Sequence, residues 1–398
     1  MTEKEHYFDW AATAPADENI QKEALSTALE YWGNPSSIHH AGCDAREALE
    51  KARKSCAESL GVSEKTIFFT SGGTESDHIP LLSMLTRPQK GHVVLSSIEH
   101  PALREMAKSM QACGWSVSSV QADKNGFVSP EAIAEAIRPD TAFVSVMAVN
   151  NETGAIQDVK SIADAVEKKC QGKRQPFFHV DCVQAAGKIP LDFIGSKTSN
   201  IHGAAFSAHK IGGPRGVGIL YLNKDITSFL RGGGQEKGVR SGTENLFGAT
   251  AMSLCLKKYL ISEKNPSSIE RFKKQKEWTK EFIGQIMQIK GASIIPHCRF
   301  ENADEFAEKF SPWIVQASFP GIPGQVMERA LSQKGFCIST GSACSSQSKA
   351  RPVLDSLHIS AAEKEAAVRF SFGFATTKEG MEDLVKAVKE VCKDFGLC

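Results

Sequence analysis

FFHVDCVQ at residues 177–184 and SAHKIGGPRGVG at residues 207–218 decide the fold of this chain of 398 residues. The first segment is an apolar run that ends in Asp181, and it lacks the polar alternation of a half-exposed strand. Such a run is typical of a strand that is covered on both faces, as in a parallel sheet. The second segment places Lys210 between a histidine and a glycine-rich turn. Together they predict two buried strands with reactive side chains at their ends.

Further apolar runs of the same kind extend this prediction to the rest of the chain. They are TIFFTS (66–71), HVVLSS (92–97), AFVSVMAV (142–149), AAFSA (204–208) and GVGILYL (216–222). Because helical patterns separate them, we predict an α/β fold with a mainly parallel sheet and helices on both sides. After about residue 255 the chain becomes rich in lysine and glutamate, and shorter strand candidates follow. We therefore predict a large domain of residues 15–255 and a smaller α+β domain of residues 1–14 and 256–398.

Composition restricts the class of partner. The chain has 47 Lys and Arg against 46 Asp and Glu, a net charge of +1, so no broad basic face for nucleic acid is expected. The start MTEKEHYFDW is too polar for a signal peptide, and no apolar run reaches the length of about 18 residues that a membrane helix needs. We expect a cytoplasmic protein that does not bind membranes. Its 11 cysteines include no CxxC pair, which argues against a disulfide framework and a zinc site.

Lys210 and Asp181 together suit an aldehyde cofactor. The lysine offers an amine for an imine, the glycines allow close approach, and the aspartate can pair with a ring nitrogen. This combination indicates pyridoxal phosphate. For either residue alone, a solvated loop lysine or a strand-end cap is the simpler interpretation.

TSGGTES (70–76) follows a predicted strand and opens a helix, so its backbone N–H groups can hold an anion with the help of Thr74. A plain Gly-Gly turn is the alternative. His100 and Asn151 follow other strands, where a histidine can stack on a cofactor ring and an amide can bind its phenolic oxygen. In isolation each is more often structural.

Three later segments carry further candidates. GGGQEKGVRSGTEN (232–245) places Arg240 near Thr243, either as an anion-binding element or as a surface loop. STGSACSSQSK (339–349) places Cys344 among small polar residues, where a thiol is either mobile and reactive or an inert passenger. Arg369 lies in the strand-like VRFSF and can bind a carboxylate, although most strand arginines are solvated.

Ten motifs along the whole chain resemble, in order, those of the cysteine desulfurases, which are class V aminotransferases of fold type I. They are YFDWAATAP, GNPSSIHHAG, TSGGTES, EHPAL, VNNETG, HVDCVQAAGK, SAHKIGGPRGVG, RSGTEN, STGSACSS and VRFSFG. The resemblance implies a seven-stranded, mainly parallel sheet in the large domain and pyridoxal 5'-phosphate as the cofactor. The stretch after GSAC is long, which is similar to the branch of the family with an extended cysteine loop.

The resemblance also implies a role for each candidate residue. Lys210 would form the imine with the cofactor, Asp181 would pair with its pyridine nitrogen, and His100 would stack on the ring and move protons. The other cofactor contacts would be Gly73, Thr74, Asn151, Gln184, Ser207, His209 and, across a homodimer interface, Thr243. Asn34 and Arg369 would bind the substrate carboxylate.

By the same resemblance, the Cys344 thiolate would attack the sulfur of L-cysteine and release L-alanine, leaving a persulfide on Cys344. A protein acceptor would then take the sulfur toward iron–sulfur clusters, other sulfur-containing cofactors or tRNA thiolation. A selenocysteine lyase or another class V aminotransferase is the first alternative. A non-catalytic protein that keeps the cofactor and takes part in sulfur traffic is the second.

Overall fold

A seven-stranded sheet forms the centre of the protein in a computed structural model that describes residues 4–195, 200–341 and 351–397. Its strands are β1 (Ile67–Thr70), β2 (His92–Ser96), β3 (Ser116–Val120), β4 (Thr141–Ser145), β5 (Phe177–Asp181), β6 (Gly203–Ser207) and β7 (Gly218–Leu222). Their order is β1-β7-β6-β5-β4-β2-β3. Only the pairs that include β7 are antiparallel. The predicted mainly parallel sheet is therefore confirmed.

Apolar side chains cover both faces of this sheet, as the unbroken apolar runs predicted. Val94 and Val144 point into a core with α1 (Glu18–Glu30), α2 (His40–Leu60), α5 (Pro130–Ala136), α6 (Val159–Lys169) and α7 (Leu246–Tyr259). Their neighbours Val93 and Phe143 point to the other side, against α3 (Gly73–Ser83) and α4 (Pro101–Ala112). The edge strand β3 escaped prediction because its sequence SVSSV is mostly serine and only its last residue is buried.

A smaller antiparallel sheet has the order β10-β9-β8, with β8 (Ser293–Ile295), β9 (Ile314–Ser318) and β10 (Ala367–Ser371). The remaining helices are α8 (Pro266–Ile286), α9 (Cys298–Glu301), α10 (Gly324–Gln333), α11 (Pro352–Ser356), α12 (Ala361–Ala366) and α13 (Lys378–Asp394). Phe8 packs in the core of this second unit, which places the N-terminal segment beside it. The domain limits given above stay a prediction. Across the described residues, no helix combines the length and the apolarity that a membrane crossing requires.

A buried ion pair fixes the glycine-rich loop 232–245 to the large sheet. Arg53 of α2 makes two hydrogen bonds of 2.7 Å to the Glu236 carboxylate, and that carboxylate also accepts from the backbone N–H of Phe69 at 2.8 Å. Arg53 donates a further bond of 2.8 Å to the carbonyl oxygen of Ile67. Because β1 leads into the TSGGTES turn, this pair ties the loop that carries Thr243 to the start of the proposed anion cradle.

Glu236→Gln is expected to destabilise the protein by about 3 kcal/mol, because it removes the buried partner of the Arg53 cation and leaves it only the half-exposed Glu50 carboxylate. Glu50→Gln is the matched control, since Glu50 contacts the same guanidinium at 3.1 Å but its side chain is 52% exposed. Its expected cost is below about 1 kcal/mol. Chemical denaturation of both variants measures the difference, and equal costs would contradict the assigned role of the buried pair.

Candidate active site

Lys210 lies at the carboxyl-end edge of the large sheet, in a short helical turn that follows β6. Its Nζ donates to the carbonyl oxygens of Ala11 at 2.7 Å and Ala12 at 2.8 Å. The preceding residue of the turn also contacts the N-terminal segment, because His209 Nδ1 lies 3.1 Å from the side-chain hydroxyl oxygen Oγ1 of Thr13. The N-terminal segment therefore covers the lysine and holds its amine in place.

Asp181 ends β5 beside this turn and is almost completely buried, with 4% of its surface exposed. Its Oδ1 accepts a hydrogen bond of 2.8 Å from the backbone N–H of Val183. Burial, reinforced by the negative charge of Asp77, raises the pKa of Asp181 to about 8, although the nearby Lys210 opposes the shift. A carboxyl in this state can give a proton to a basic ring nitrogen or pair with its cation.

Two more buried acids lie behind Asp181, and the sequence analysis missed both. Asp77 of α3 contacts Nε2 of His179 at 3.0 Å, while Nδ1 of this histidine has no hydrogen-bond partner within the described part of the chain. Glu99 accepts from the backbone N–H of Met147 at 2.8 Å and from Ser96. Burial raises the pKa of Glu99 to about 8 and that of Asp77 well above its ordinary value. The cluster therefore resists further negative charge.

Asp181→Asn is expected to reduce the pH dependence of stability of the cofactor-free protein between pH 6.5 and 8. The folded-state pKa of Asp181 is raised to about 8 from 3.8, so its favourable contribution is complete below 3.8 and disappears as the pH rises through 8. The folded-state pKa values of His100 and His179 are lowered to about 4, so these two groups make stability rise with pH. Their contribution ends near the unfolded pKa of 6.5, which is the lower limit of the chosen interval.

Thermal melting at pH 6.5 and pH 8 tests this expectation. The melting temperature of the parent should fall more over that interval than that of Asp181→Asn. Asp140→Asn serves as the control, because its hydrogen bond to Arg138 lowers the pKa of Asp140 and removes it from this pH window. If all three proteins show the same change with pH, Asp181 does not titrate in this range.

His100 caps the first turn of α4, where its Nδ1 accepts from the backbone N–H of Ala102 at 3.2 Å. This contact assigns the ring proton of the neutral side chain to Nε2. Burial, together with the positive charge of Lys210, lowers the pKa of His100 to about 4. The imidazole is therefore neutral near pH 7 and presents one N–H toward its surroundings.

The TSGGTES turn leads from β1 into α3, the position that the predicted anion cradle requires. A Cβ on Gly73 would lie 2.6 Å from Val183 Cγ2 and 3.6 Å from Ser207 Cβ, so only glycine fits between these neighbours. Gly72 has φ 151°, in the range that favours glycine. The first N–H groups of α3 open here beside the exposed Thr74, which suits a phosphate group.

Gln184 and Asn151 lie on two other loops. Gln184 is buried, and its Nε2 donates to the same Ala11 carbonyl oxygen as Lys210, at 2.8 Å. The loop of Asn151 is shaped by Asn150, whose Oδ1 accepts from the backbone N–H groups of Glu152 at 3.0 Å and Thr153 at 2.9 Å. Asn150, the neighbour of the predicted Asn151, thus fixes the turn.

Arg369 and Asn34, the predicted carboxylate ligands, lie in different surroundings. Arg369 is buried, pairs with Asp9 at 2.8 Å and donates to the carbonyl oxygens of Asn151 at 2.8 Å and Gly341 at 3.0 Å. Its Nε has no hydrogen-bond partner among the residues described. Asn34 is exposed and accepts from the backbone N–H of Ser36 at 2.9 Å. None of these contacts joins Asn34 to Arg369.

Of the remaining candidates, two lie on the glycine-rich loop and one falls in a segment that the structure does not describe. Thr243 lies exposed on the glycine-rich loop, near Thr70 and Ser71 around one surface cleft. Arg240 of that loop contacts the Glu75 carboxylate at 3.4 Å, so it is engaged at the start of α3 by an acid that the sequence analysis did not consider. Cys344, with its predicted long loop, lies outside the described residues.

Comparison with known proteins gives a consistent assignment. The class V aminotransferase family model matches residues 6–384. A putative cysteine desulfurase IscS 1 of Bacillus subtilis is 33% identical over 97% of this chain and 98% of its own length. A cysteine desulfurase IscS of Methanosarcina thermophila is also 33% identical, over 97% of this chain and 91% of its own length. The chain belongs to the cysteine desulfurase family.

Solved structures of similar proteins agree with this membership. A NifS-like protein superposes with a TM-score of 0.84 at 32% identity, covering 99% of this chain and 100% of that chain. SspA, solved in complex with cysteine, has a TM-score of 0.76 at 25% identity and covers 94% of this chain and 100% of its own. The predicted fold, the cysteine desulfurase family and its class of pyridoxal-phosphate enzymes are thereby confirmed.

The structure brings two further polar side chains to this edge that were not among the predicted site residues. Asp77 lies four residues after Gly73 on α3, and His179 lies two residues before Asp181 on β5. Helical and strand periodicity therefore place each on the same side of its element as the residue that the motifs pointed to. That spacing is the signal from which both could have been found.

Proposed function

We propose that this enzyme converts L-cysteine to L-alanine and keeps the sulfur as a persulfide on Cys344. The position of Lys210 carries the proposal, because its amine is held at the carboxyl-end edge of the sheet, beside a buried carboxyl and a glycine cradle. The related SspA, which was solved with cysteine, supports L-cysteine as the substrate.

Pyridoxal 5'-phosphate is the cofactor that these residues fit. Lys210 would attach it, Asp181 would face its ring nitrogen, and His100 would stack on the ring. The other proposed contacts are Gly73, Thr74, Asn151, Gln184, Ser207, His209 and Thr243. When bound, the cofactor withdraws electrons from the substrate and so weakens its Cα–H bond.

The side chains of the chain itself supply binding and proton transfer. The buried Arg369 cation would bind the substrate carboxylate, and the exposed Asn34 is proposed to join it there. His100 holds a proton at Nε2, where the neutral ring can exchange it with a reacting group. The Cys344 thiolate forms an S–S bond to the substrate sulfur as the C–S bond breaks, so one cysteine and one thiol give one alanine and one persulfide.

Simultaneous measurement of alanine and sulfide tests the proposal. Purified protein is mixed with L-cysteine and a thiol reductant, and equal yields of the two products are expected because each persulfide releases one sulfide. The same assay with L-selenocysteine separates the alternatives, since a selenocysteine lyase would form alanine from that substrate alone. A protein that binds the cofactor but forms alanine from neither substrate would be the non-catalytic alternative.

A homodimer is part of the proposal. Trp32 and Ile38 are 76% and 94% exposed, and Leu230 is 62% exposed. The loop that begins after α1 lies beside the glycine-rich loop, because Pro35 and Gly233 line the same cleft. An exposed apolar area beside a proposed cofactor loop is typical of a subunit interface, across which Thr243 would reach the cofactor phosphate of the second copy. Analytical ultracentrifugation tests it, and a fully active monomer would contradict it.

The destination of the sulfur is the last part of the proposal. A protein acceptor is expected to take it from Cys344, for iron–sulfur cluster assembly, another sulfur-containing cofactor or tRNA thiolation. A cytoplasmic location stays a prediction.

A further inference from the structure

Lys188 is a buried lysine that none of the proposed roles uses. It closes the HVDCVQAAGK motif and is only 6% exposed. Its Nζ donates to Gln184 Oε1, four residues earlier in the chain. Its backbone carbonyl oxygen accepts from Trp313 Nε1 at 2.9 Å, which fixes the main chain at this position. The lysine also lines the same small cavity as Lys210.

The two partners of Gln184 determine how its amide is oriented. A lysine nitrogen carries hydrogens in both its charged and its neutral form, so it donates to Oε1 in either state. On the other side, the carbonyl oxygen of Ala11 can only accept, and it receives Nε2 at 2.8 Å. An inverted amide would place two donors together on one side and two acceptors on the other. The orientation is therefore fixed by complementary contacts on both sides.

We propose that Lys188 is a positioning residue that makes Gln184 a hydrogen-bond donor toward the cofactor ring. This inference rests on the proposed function. Because the contact with Lys188 fixes Oε1 on one side of the amide, Nε2 is held on the other side, where one of its two hydrogens is used by Ala11. The second hydrogen suits the phenolic oxygen of pyridoxal phosphate, which accepts when it is ionised.

The surroundings of Lys188 agree with this role. Burial, with smaller effects of the positive charges of Lys210 and Arg369, lowers the pKa of Lys188 well below its ordinary value. Burial therefore disfavours the charged form of the lysine, and its hydrogen bond to Gln184 persists in either protonation state. An apolar residue would satisfy the packing but would leave Oε1 buried without a donor, which favours rotation of the amide.

Lys188→Met tests the proposal on the cofactor-loaded enzyme. If Gln184 no longer donates to the phenolic oxygen of the bound cofactor, the ionised form of that oxygen would be less stabilised. The imine nitrogen beside it would then have a higher pKa. The pH midpoint of the absorption change of the bound cofactor should then rise by about one unit, the size expected for one hydrogen bond. Loss of cofactor on dilution should become roughly 10-fold faster.

The decisive control is the same change in a Gln184→Leu background. If Lys188 acts through Gln184, Lys188→Met should shift neither the pH midpoint nor the rate of cofactor loss in that background. A shift that persists there would overturn the proposal, as would an unchanged midpoint in the single variant. A parent protein that never acquires the absorption of a bound cofactor would instead refute the proposed function, so the two failures are distinguishable.

Discussion

Cys344→Ala is expected to lower sulfide release from L-cysteine by at least about 100-fold, because the proposed reaction forms its S–S bond at this thiol. The absorption of the bound cofactor should stay unchanged, since Lys210 and Asp181 belong to other segments of the chain. Cofactor occupancy and sulfide release are therefore measured on the same sample.

Cys113→Ala is the matched control, since Cys113 is exposed at the end of α4 and has no assigned role. It should release sulfide at the parental rate. Sulfide release by Cys344→Ala at the parental rate would contradict the assignment of Cys344 as the nucleophile. A selective loss of sulfide with continued alanine formation would show that a different acceptor takes the sulfur from the substrate.

Local sequence patterns predicted much of the fold, because a strand that is buried on both faces has an unbroken run of apolar residues. FFHVD and β5 coincide at residues 177–181, and the predicted HVVLSS run contains β2. The same reasoning failed for β3, since an edge strand exposes its side chains and needs no apolar run. The antiparallel direction of β7 also escaped prediction, because direction depends on the path of the connection rather than on side-chain pattern.

The candidate site divides in a similar way. Lys210, Asp181 and the Gly72–Gly73 turn follow buried strands, so periodicity and turn chemistry were enough to place them at one edge. The spacing of Asp77 from Gly73 can be read from the sequence, whereas the burial of Asp77, Glu99 and Lys188 is visible only in the folded structure. The pair of Arg53 and Glu236 joins residues far apart in the chain, and only the folded structure shows that both are buried.

Lys210→Ala is expected to abolish covalent attachment of pyridoxal phosphate and to reduce desulfuration by at least about 1000-fold. Lys188 and Lys210 line the same cavity, and their surroundings distinguish them. Lys188 is held on Gln184 and is buried. Lys210 is only partly buried, is held by two carbonyl oxygens and has a charge that acts on both Asp181 and His100.

Borohydride reduction followed by peptide mapping distinguishes the two amines. In the parent, the reduced cofactor should be found on the peptide that contains Lys210, and Lys210→Ala should carry no label. Lys188→Met should keep the label on Lys210, because it removes a positioning contact and leaves the attached amine in place. Label on Lys188 in the parent would contradict the assignment of Lys210 as the attached amine.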